Sequence, residues 1–424
     1  MSHSLRDLNI KNLLRHSLAV NTARILSANI LIQAISFFTL PFFSRIYLPE
    51  DYGIWGIFIF MSGLISVVSG LRYELAVMIP ASDNEASIIV RVAKTNNLII
   101  NAVLFLLLIF TADTVSGLME LKTGIWLILL VPVHAYFTGF NTLMSQWMSR
   151  KRKFRHLSAI RVFQSLFNIA LSFVSGYLLD WHYKALILST FISVLAGDML
   201  YSYYAGVTFY SGFIFRKEAL IRYMMKYKNF LYFSSPLALL NFFTANILSY
   251  LLQLNFGSHL LGLYTNATRL INTPLSLVSA SFSTVFYQQF SRAKNKVKLL
   301  TVSFILLLII FTSLLLPFIL WGDQLIGWYL GDKWRASSEF IRILSVVTIM
   351  SFTTGSISTV FSYLQKEDVV LLWQIFYLVA IIIVFTIYKN NFSPAMWLYS
   401  LTGGLAYLIL FFIGLVKVKR SQAV

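Results

Sequence analysis

A chain of 424 residues that is 58% hydrophobic and only 12% charged, with a mean hydropathy of +0.74, lies outside the composition of soluble globular domains. Its net charge of +18 would point to nucleic acid in a soluble protein, but most of the basic residues sit in loops beside apolar runs, so the charge is read as topogenic and no nucleic acid is expected as a partner. The lack of Cys excludes disulfides, thiolate metal sites and Cys nucleophiles.

The hydrocarbon core takes roughly 20 apolar residues per crossing, and backbone in lipid must satisfy its own hydrogen bonds, so the apolar runs predict helices. Twelve are expected, near 25–43, 54–71, 97–112, 124–144, 160–179, 185–206, 231–253, 263–286, 301–320, 340–363, 369–388 and 396–416. Arg6, Lys11, Arg15 and Arg24 precede the first run and no small-residue cleavage site follows it, so it is read as a retained transmembrane helix. The segment 72–96 reads as an inner loop, with a backward extension of the third helix over 88–96 left open. Another inner loop, 207–230, is basic and amphipathic (Arg222, Lys226 and Lys228 against Leu220, Ile221, Met224 and Met225), which suits the membrane surface. The outer loop 321–339 holds Trp321, Trp328, Tyr329 and Trp334, as an interfacial belt would.

Every second turn is basic, as at Arg150 to Arg155, Arg216 to Lys228, Arg292 to Lys298 and Lys417 to Arg420. With both termini cytoplasmic, Arg45, Lys122, Lys184, Lys333, Arg335, Arg342 and Lys389 fall outside, Arg269 lies within a helix, and the other 26 of the 34 Lys and Arg fall inside. The expected fold class is all-α: a polytopic membrane protein of 12 transmembrane helices in two six-helix lobes, 1–206 and 231–424, joined by a cytoplasmic amphipathic linker, 207–230. A shift of about 209 residues lays the second helix on the eighth, with Tyr52-Gly53-Ile54-Trp55 near Leu261-Gly262-Leu263-Tyr264. Two such repeats would flank a central cavity with a substrate near midplane.

Charges inside membrane helices are costly and mark function by default. Arg269 has no acidic residue one turn away on its helix. Its planar donor fork suits phosphate oxygens in a cavity; the other reading is a side chain reaching for the outer interface. Asp198 either carries a coupling proton or cation, or pairs with Arg161. Polar residues recur at steps of three and four: His134, Thr138, Asn141 and Ser145; Arg161, Gln164, Asn168 and Ser172; Asn29, Gln33 and Ser36; Asn246, Ser249 and Gln253. Each set shares one helix face. A wet lumen for a hydroxyl-rich ligand and dry interhelical bonding both accommodate them.

His134 has no second His at ligand spacing, so no metal is expected. Pro41, Pro132, Pro236, Pro274 and Pro317 allow kinks. Arg72 and Glu74, two residues apart, would point to different sides of a helix. They read either as bridges to other helices in an inner gate or as markers of the interface. Glu50-Asp51 reads as a helix cap. There is no Walker-type loop, and no large outer loop with clustered carboxylates or an Arg pair, so neither ATP hydrolysis nor glycosyl chemistry is expected, and no cofactor.

The run Leu40-Pro41-Phe42-Phe43-Ser44-Arg45-Ile46-Tyr47-Leu48-Pro49-Glu50-Asp51-Tyr52-Gly53, and the run Leu71-Arg72-Tyr73-Glu74-Leu75-Ala76, resemble the signature of Wzx-type polysaccharide flippases. The segment from Gly262-Leu263-Tyr264 through Arg269 to Pro274 resembles the eighth-helix pattern shared with lipid II flippases of the same multidrug/oligosaccharidyl-lipid/polysaccharide exporter superfamily. The likeness covers essentially the whole chain. It implies a V-shaped, MATE-like pair of lobes around a cationic cavity in the bacterial inner membrane. It further implies ion-coupled alternating access (proton or sodium) that moves an undecaprenyl-diphosphate-linked O-antigen repeat unit to the outer leaflet, beside a polymerase and a chain-length regulator.

By the same resemblance Arg269 falls where the superfamily places a lumenal cation, and Arg45 and Arg72 fall in its recurring motifs. The chain departs from that pattern in having few other mid-membrane charges. The expected substrate site is thus Arg269 with Asn141, His134, Asn168, Gln164, Asn29, Gln33 and Asn246, and the gating or coupling set is Asp198, Arg45, Arg72 and Glu74. The alternatives are a lipid II flippase, a cation-coupled drug exporter, for which only Asp198 offers an acidic site, a membrane polymerase or glycosyltransferase, and a structural scaffold.

Overall fold

A computed structural model describes residues 27–118, 124–207, 212–214 and 216–422. Arg6, Lys11, Arg15, Arg24 and Lys122 lie outside the described residues. Within them every regular element is helical. In chain order these are α1 (Ser27–Ile46), α2 (Pro49–Ser69), the short α3 (Tyr73–Ala76), α4 (Asp83–Leu118), α5 (Trp126–Arg150), α6 (Phe154–Tyr177), α7 (His182–Ala205), α8 (Lys217–Lys226), α9 (Ser235–Arg292), α10 (Lys296–Leu330), α11 (Ser337–Ile357), the short α12 (Thr359–Tyr363), α13 (Glu367–Ile387) and α14 (Phe392–Gln422). Eleven helical runs are long and apolar enough to cross a membrane.

The difference from twelve lies in one place. Residues 230–292 form a single run where the sequence predicts two helices, and its backbone leaves helical geometry at Gly257, with φ 80° and ψ 177°. That conformation is open to Gly and closed to side-chain-bearing residues.

Two other boundaries move. α4 begins at Asp83, inside the expected inner loop: Ser82 accepts from the Glu85 N–H at 3.3 Å, and Asp83 and Glu85 lie in the positive first turn. α10 runs on through Trp321, where it bends (φ −120°, ψ 26°), to Leu330. Much of the expected outer loop is therefore helix. At the start of α2 the Leu48 N–H donates to Asp51 Oδ2 at 2.9 Å, half of a capping box, as the cap reading of this turn expects.

The described residues group into two compact units. One takes them from Met1–Thr39, Met61–Asp113 and Gly124–Ala238, the other from Leu40–Phe60, Thr114–Thr123 and Leu239–Val424. In the first, Tyr73, Ile89, Phe140, Met144, Leu157 and Tyr201 share a core where α3 to α7 converge. Leu220 and Met224 of the amphipathic α8 pack on that core, while Ile221 and Met225 stay exposed. The apolar face of α8 is thus divided between protein and surroundings. In the second unit α11 and α14 meet through small residues: a Cβ on Gly403 would collide with Val347, and one on Gly404 with Val346. Membrane helices associate by such close packing rather than by expelling water.

Candidate functional site

In the second unit α2 and α9 approach each other closely. A Cβ on Gly53 would overlap the backbone carbonyl of Ser258, and a Cβ on Gly262 would overlap that of Pro49. Only Gly permits backbones so close. Beside this crossing Glu50 Oε1 meets His259 Nδ1 at 2.6 Å, across a sequence separation of 209. That separation also relates Pro49 to Ser258 and Gly53 to Gly262. The contact is therefore reciprocal, as at a two-fold interface between like elements.

Arg269 lies two turns beyond Gly262 on the same face of α9, so it also faces α2. Its guanidinium carbon is 5.5 Å from the ring centre of Tyr52 and 5.4 Å from that of Trp55. Both distances are in the cation–π range. Its partners among the described residues are these rings and not a carboxylate. The half-buried guanidinium is turned toward α2.

Tyr52 is fully buried, edge-on to Trp334 at 5.4 Å. The Trp334 indole N–H donates to the Ser44 carbonyl at 2.7 Å, and the Ser44 hydroxyl donates to the Leu330 carbonyl at 2.7 Å. Trp334 is thus a core residue packed against the Tyr52 ring that faces Arg269, which corrects its assignment to an interfacial belt. Trp321 and Trp328 remain exposed.

A cavity of about 150 Å³ also lies in this unit, lined by Tyr264, Thr268 and Asn272 of α9 with Tyr377, Tyr399 and Tyr407. Arg269, about 100° around the helix from Thr268, does not line it. Asn246 spends its amide donor on the Phe242 carbonyl at 2.9 Å.

The first unit holds most of the other expected residues. Asp198 is fully buried on α7, and neither carboxyl oxygen has a hydrogen-bond partner among the described residues. The expected pair with Arg161 does not form; Arg161 instead donates to the Ser145 hydroxyl at 3.0 Å. Gln164 packs its amide where a Cβ on Gly197 would sit, which brings it next to Asp198 along the α6–α7 contact. Asn168 donates to Thr190 at 3.4 Å and accepts from Ser172 at 3.1 Å, so it bonds between helices. His134 is buried, its ring 6.4 Å from that of Phe191. Asn29, Gln33 and Asn141 are half-buried on α1 and α5. The expected substrate residues are divided between the units, Arg269 and Asn246 in the second and the others in the first.

Sequence reasoning missed the polar face of α4. Asn97 donates to the Tyr136 carbonyl at 2.8 Å, and Asn101 donates to Asn97 Oδ1 at 2.8 Å. Lys94, Thr95 and Asn96 are buried just before them. The four-residue step from Asn97 to Asn101, inside the expected helix 97–112, was the available signal; reading 72–96 as a loop hid only Lys94, Thr95 and Asn96.

Arg72 and Glu74 do not face apart. Leu71 and Arg72 adopt left-handed φ of 50° and 58°, the helix breaks, and Arg72 reaches Glu74 at 3.2 Å. The different-sides argument fails because Arg72 is not helical. Burial pushes the Glu74 carboxyl above the usual carboxylate range, against the opposing pull of Arg72. Arg45 is exposed and caps the end of α1 by donating to the Pro41 carbonyl at 2.9 Å. Among the described residues no group of three His, Asp or Glu is placed to hold a metal ion.

The fold has clear relatives among solved structures. An inward-facing multidrug resistance MATE family transporter of the MOP superfamily aligns with TM-score 0.68 at 17% identity, over 94% of this chain and 95% of that one. The lipid II flippase MurJ, in an inward closed conformation, aligns with TM-score 0.71 at 13% identity, over 96% and 88%. In sequence, the teichuronic acid biosynthesis protein TuaB of Bacillus subtilis is 18% identical over 319 residues, 74% of this chain and 65% of the relative. The match thus spans a little under two thirds of that protein's length. A family model described as polysaccharide biosynthesis protein matches residues 42–339, which contain both the α2–α9 crossing and Arg269, and the chain belongs to that family.

Proposed function

We propose that the chain is a flippase for undecaprenyl-diphosphate-linked O-antigen repeat units, working by ion-coupled alternating access in the bacterial inner membrane. The observation that carries this reading is Arg269, a permanent cation inside a membrane-crossing run whose partners are two ring faces. Ring faces hold a guanidinium without consuming its charge on a carboxylate, and leave edge N–H groups for phosphate oxygens. A low-dielectric setting strengthens that contact. The family description and the teichuronic acid relative support a glycan precursor over a drug.

In this mechanism no covalent bond changes. The diphosphate meets Arg269, sugar hydroxyls bond with polar helix residues such as Gln164 and Asn141, and the prenyl tail stays in lipid. Lobes 1–206 and 231–424 alternate access, with Asp198 taking up and releasing the coupling proton. The polymerase and chain-length regulator of the same pathway are the proposed partners.

Arg269→Ala is expected to abolish surface polysaccharide while the protein still inserts, and Arg269→Lys to retain part of the activity. A hydrogen bond to a charged group contributes about 1.5–3 kcal/mol, and the guanidinium fork makes more than one, so the Ala variant should lose at least on the order of a hundredfold in transport. Normal surface polymer in R269A removes Arg269 from the mechanism. Deleting the gene should strand labelled prenyl-linked oligosaccharide in the inner leaflet; unpolymerised units in the outer leaflet would mark a polymerase instead.

A further inference from the structure

Away from Arg269 and Asp198, the first unit contains a cavity of about 370 Å³. Ser87, Arg91 and Lys94 of α4, Trp147 of α5 and Gly212 line it. Arg91 and Lys94 are three residues apart and share a helix face. Both converge on Gly212: a Cβ there would meet Lys94 Nζ at 3.7 Å and Arg91 Nε at 4.0 Å. Lys94 is 1% exposed, with its ammonium 4.3 Å from the ring centre of Phe213. The strap 212–214 is pinned where the Ile214 N–H donates to Thr95 Oγ1 at 3.0 Å. The cationic pocket is therefore built and not a chance meeting of surface lysines.

Two further features define what it lacks. Among the described residues its lining carries no carboxylate. Among the described residues the acids of the first turn of α4 are paired outside the pocket, Asp83 with Arg150 and Lys151, and Glu85 with Lys226 and Tyr227. In addition, Trp147 is 6% exposed and its indole N–H has no acceptor among the described residues. Two like charges facing one space repel, the more so away from water. A buried donor without an acceptor carries an uncompensated desolvation cost. An anion with several oxygens relieves both at once, and a planar guanidinium beside an ammonium suits phosphate.

We propose that this pocket is a phosphate-binding site, separate from the one at Arg269 and independent of whether the chain is a flippase. The pocket sits two to three turns into α4, at the end of the run that the basic turns place on the inner side. Its phosphate therefore comes from an inner-leaflet lipid headgroup or from free phosphate in the cytoplasm.

The test uses the full-length protein in detergent. Native mass spectrometry compares phosphatidylglycerol with phosphatidylcholine, and a thermal-shift arm titrates inorganic phosphate and pyrophosphate. Phosphatidylglycerol adducts are expected on the wild type and at least tenfold weaker on R91Q/K94Q, with W147F intermediate. Stabilisation by free phosphate alone, lost in the double variant, supports the site and assigns the soluble source. If R91Q/K94Q loses helicity by circular dichroism, R91Q at an exposed side chain carries the comparison. Equal anion binding by wild type and a folded variant, or no preference for either anion in the wild type, overturns the proposal.

Discussion

At the scale of single residues, three ionisable groups in the apolar runs differ in what surrounds them. Arg269 has ring faces, Lys94 has a ring face and a second cation, and Asp198 has no hydrogen-bond partner among the described residues. Arg269 and Asp198 were legible in the sequence because each stands alone in an uncharged stretch. Lys94 was not, because Asp83, Glu85 and Arg91 upstream made its segment read as a loop. Nor was the Arg72–Glu74 pair, since nothing in the sequence marks a left-handed backbone at two residues that are not Gly. A carboxyl buried without a donor is stable in that setting only when it is proton-loaded or otherwise compensated. Asn has the same shape and cannot exchange the proton. Asp198→Asn is therefore expected to insert and fold but to lose surface polysaccharide, and collapsing the proton gradient should have no further effect on it. Normal polymer in D198N cells, or an unchanged response to gradient collapse, would place coupling elsewhere.

At the scale of elements, the α2–α9 crossing explains why a weak repeat in the sequence has physical content. The shift of about 209 residues matched few residue identities, yet the residues it relates meet at one contact: Glu50 with His259 directly, Gly53 against Ser258, and Gly262 against Pro49. Helix spacing made the repeat visible; the reciprocal contact was not visible, because a Gly in a helix is equally consistent with a kink or a neutral position. Here any side chain would push into a backbone carbonyl, which cannot move aside as a flexible side chain does. Overpacking of this kind costs about 1–3 kcal/mol. G53A and G262A are each expected to lower the melting temperature of the purified protein by a similar amount. The double variant should fall short of the sum, because separating the helices once relieves both clashes. Wild-type melting in either single variant would show that the crossing has slack.

At the scale of the whole molecule, hydropathy made the all-α membrane fold readable, and the loop charges give its expected orientation. Crossing number is the quantity those two signals share, because both termini on one side require an even count. The run 230–292 decides it: taken as one crossing, it puts everything after it on the opposite side from the basic-turn reading, and broken at Gly257 it returns to the side it left. A chain without Cys lends itself to single-cysteine labelling with a membrane-impermeant thiol reagent. Met225, His259 and Asn390 are exposed, as is Ser291. On intact spheroplasts H259C and N390C are expected to react, and M225C and S291C to react only after permeabilisation. Reaction at S291C from outside would mean that 230–292 crosses once. The Arg292 to Lys298 turn would then lie outside, against the charge asymmetry, and the proposed cytoplasmic placement of both termini would fail with it.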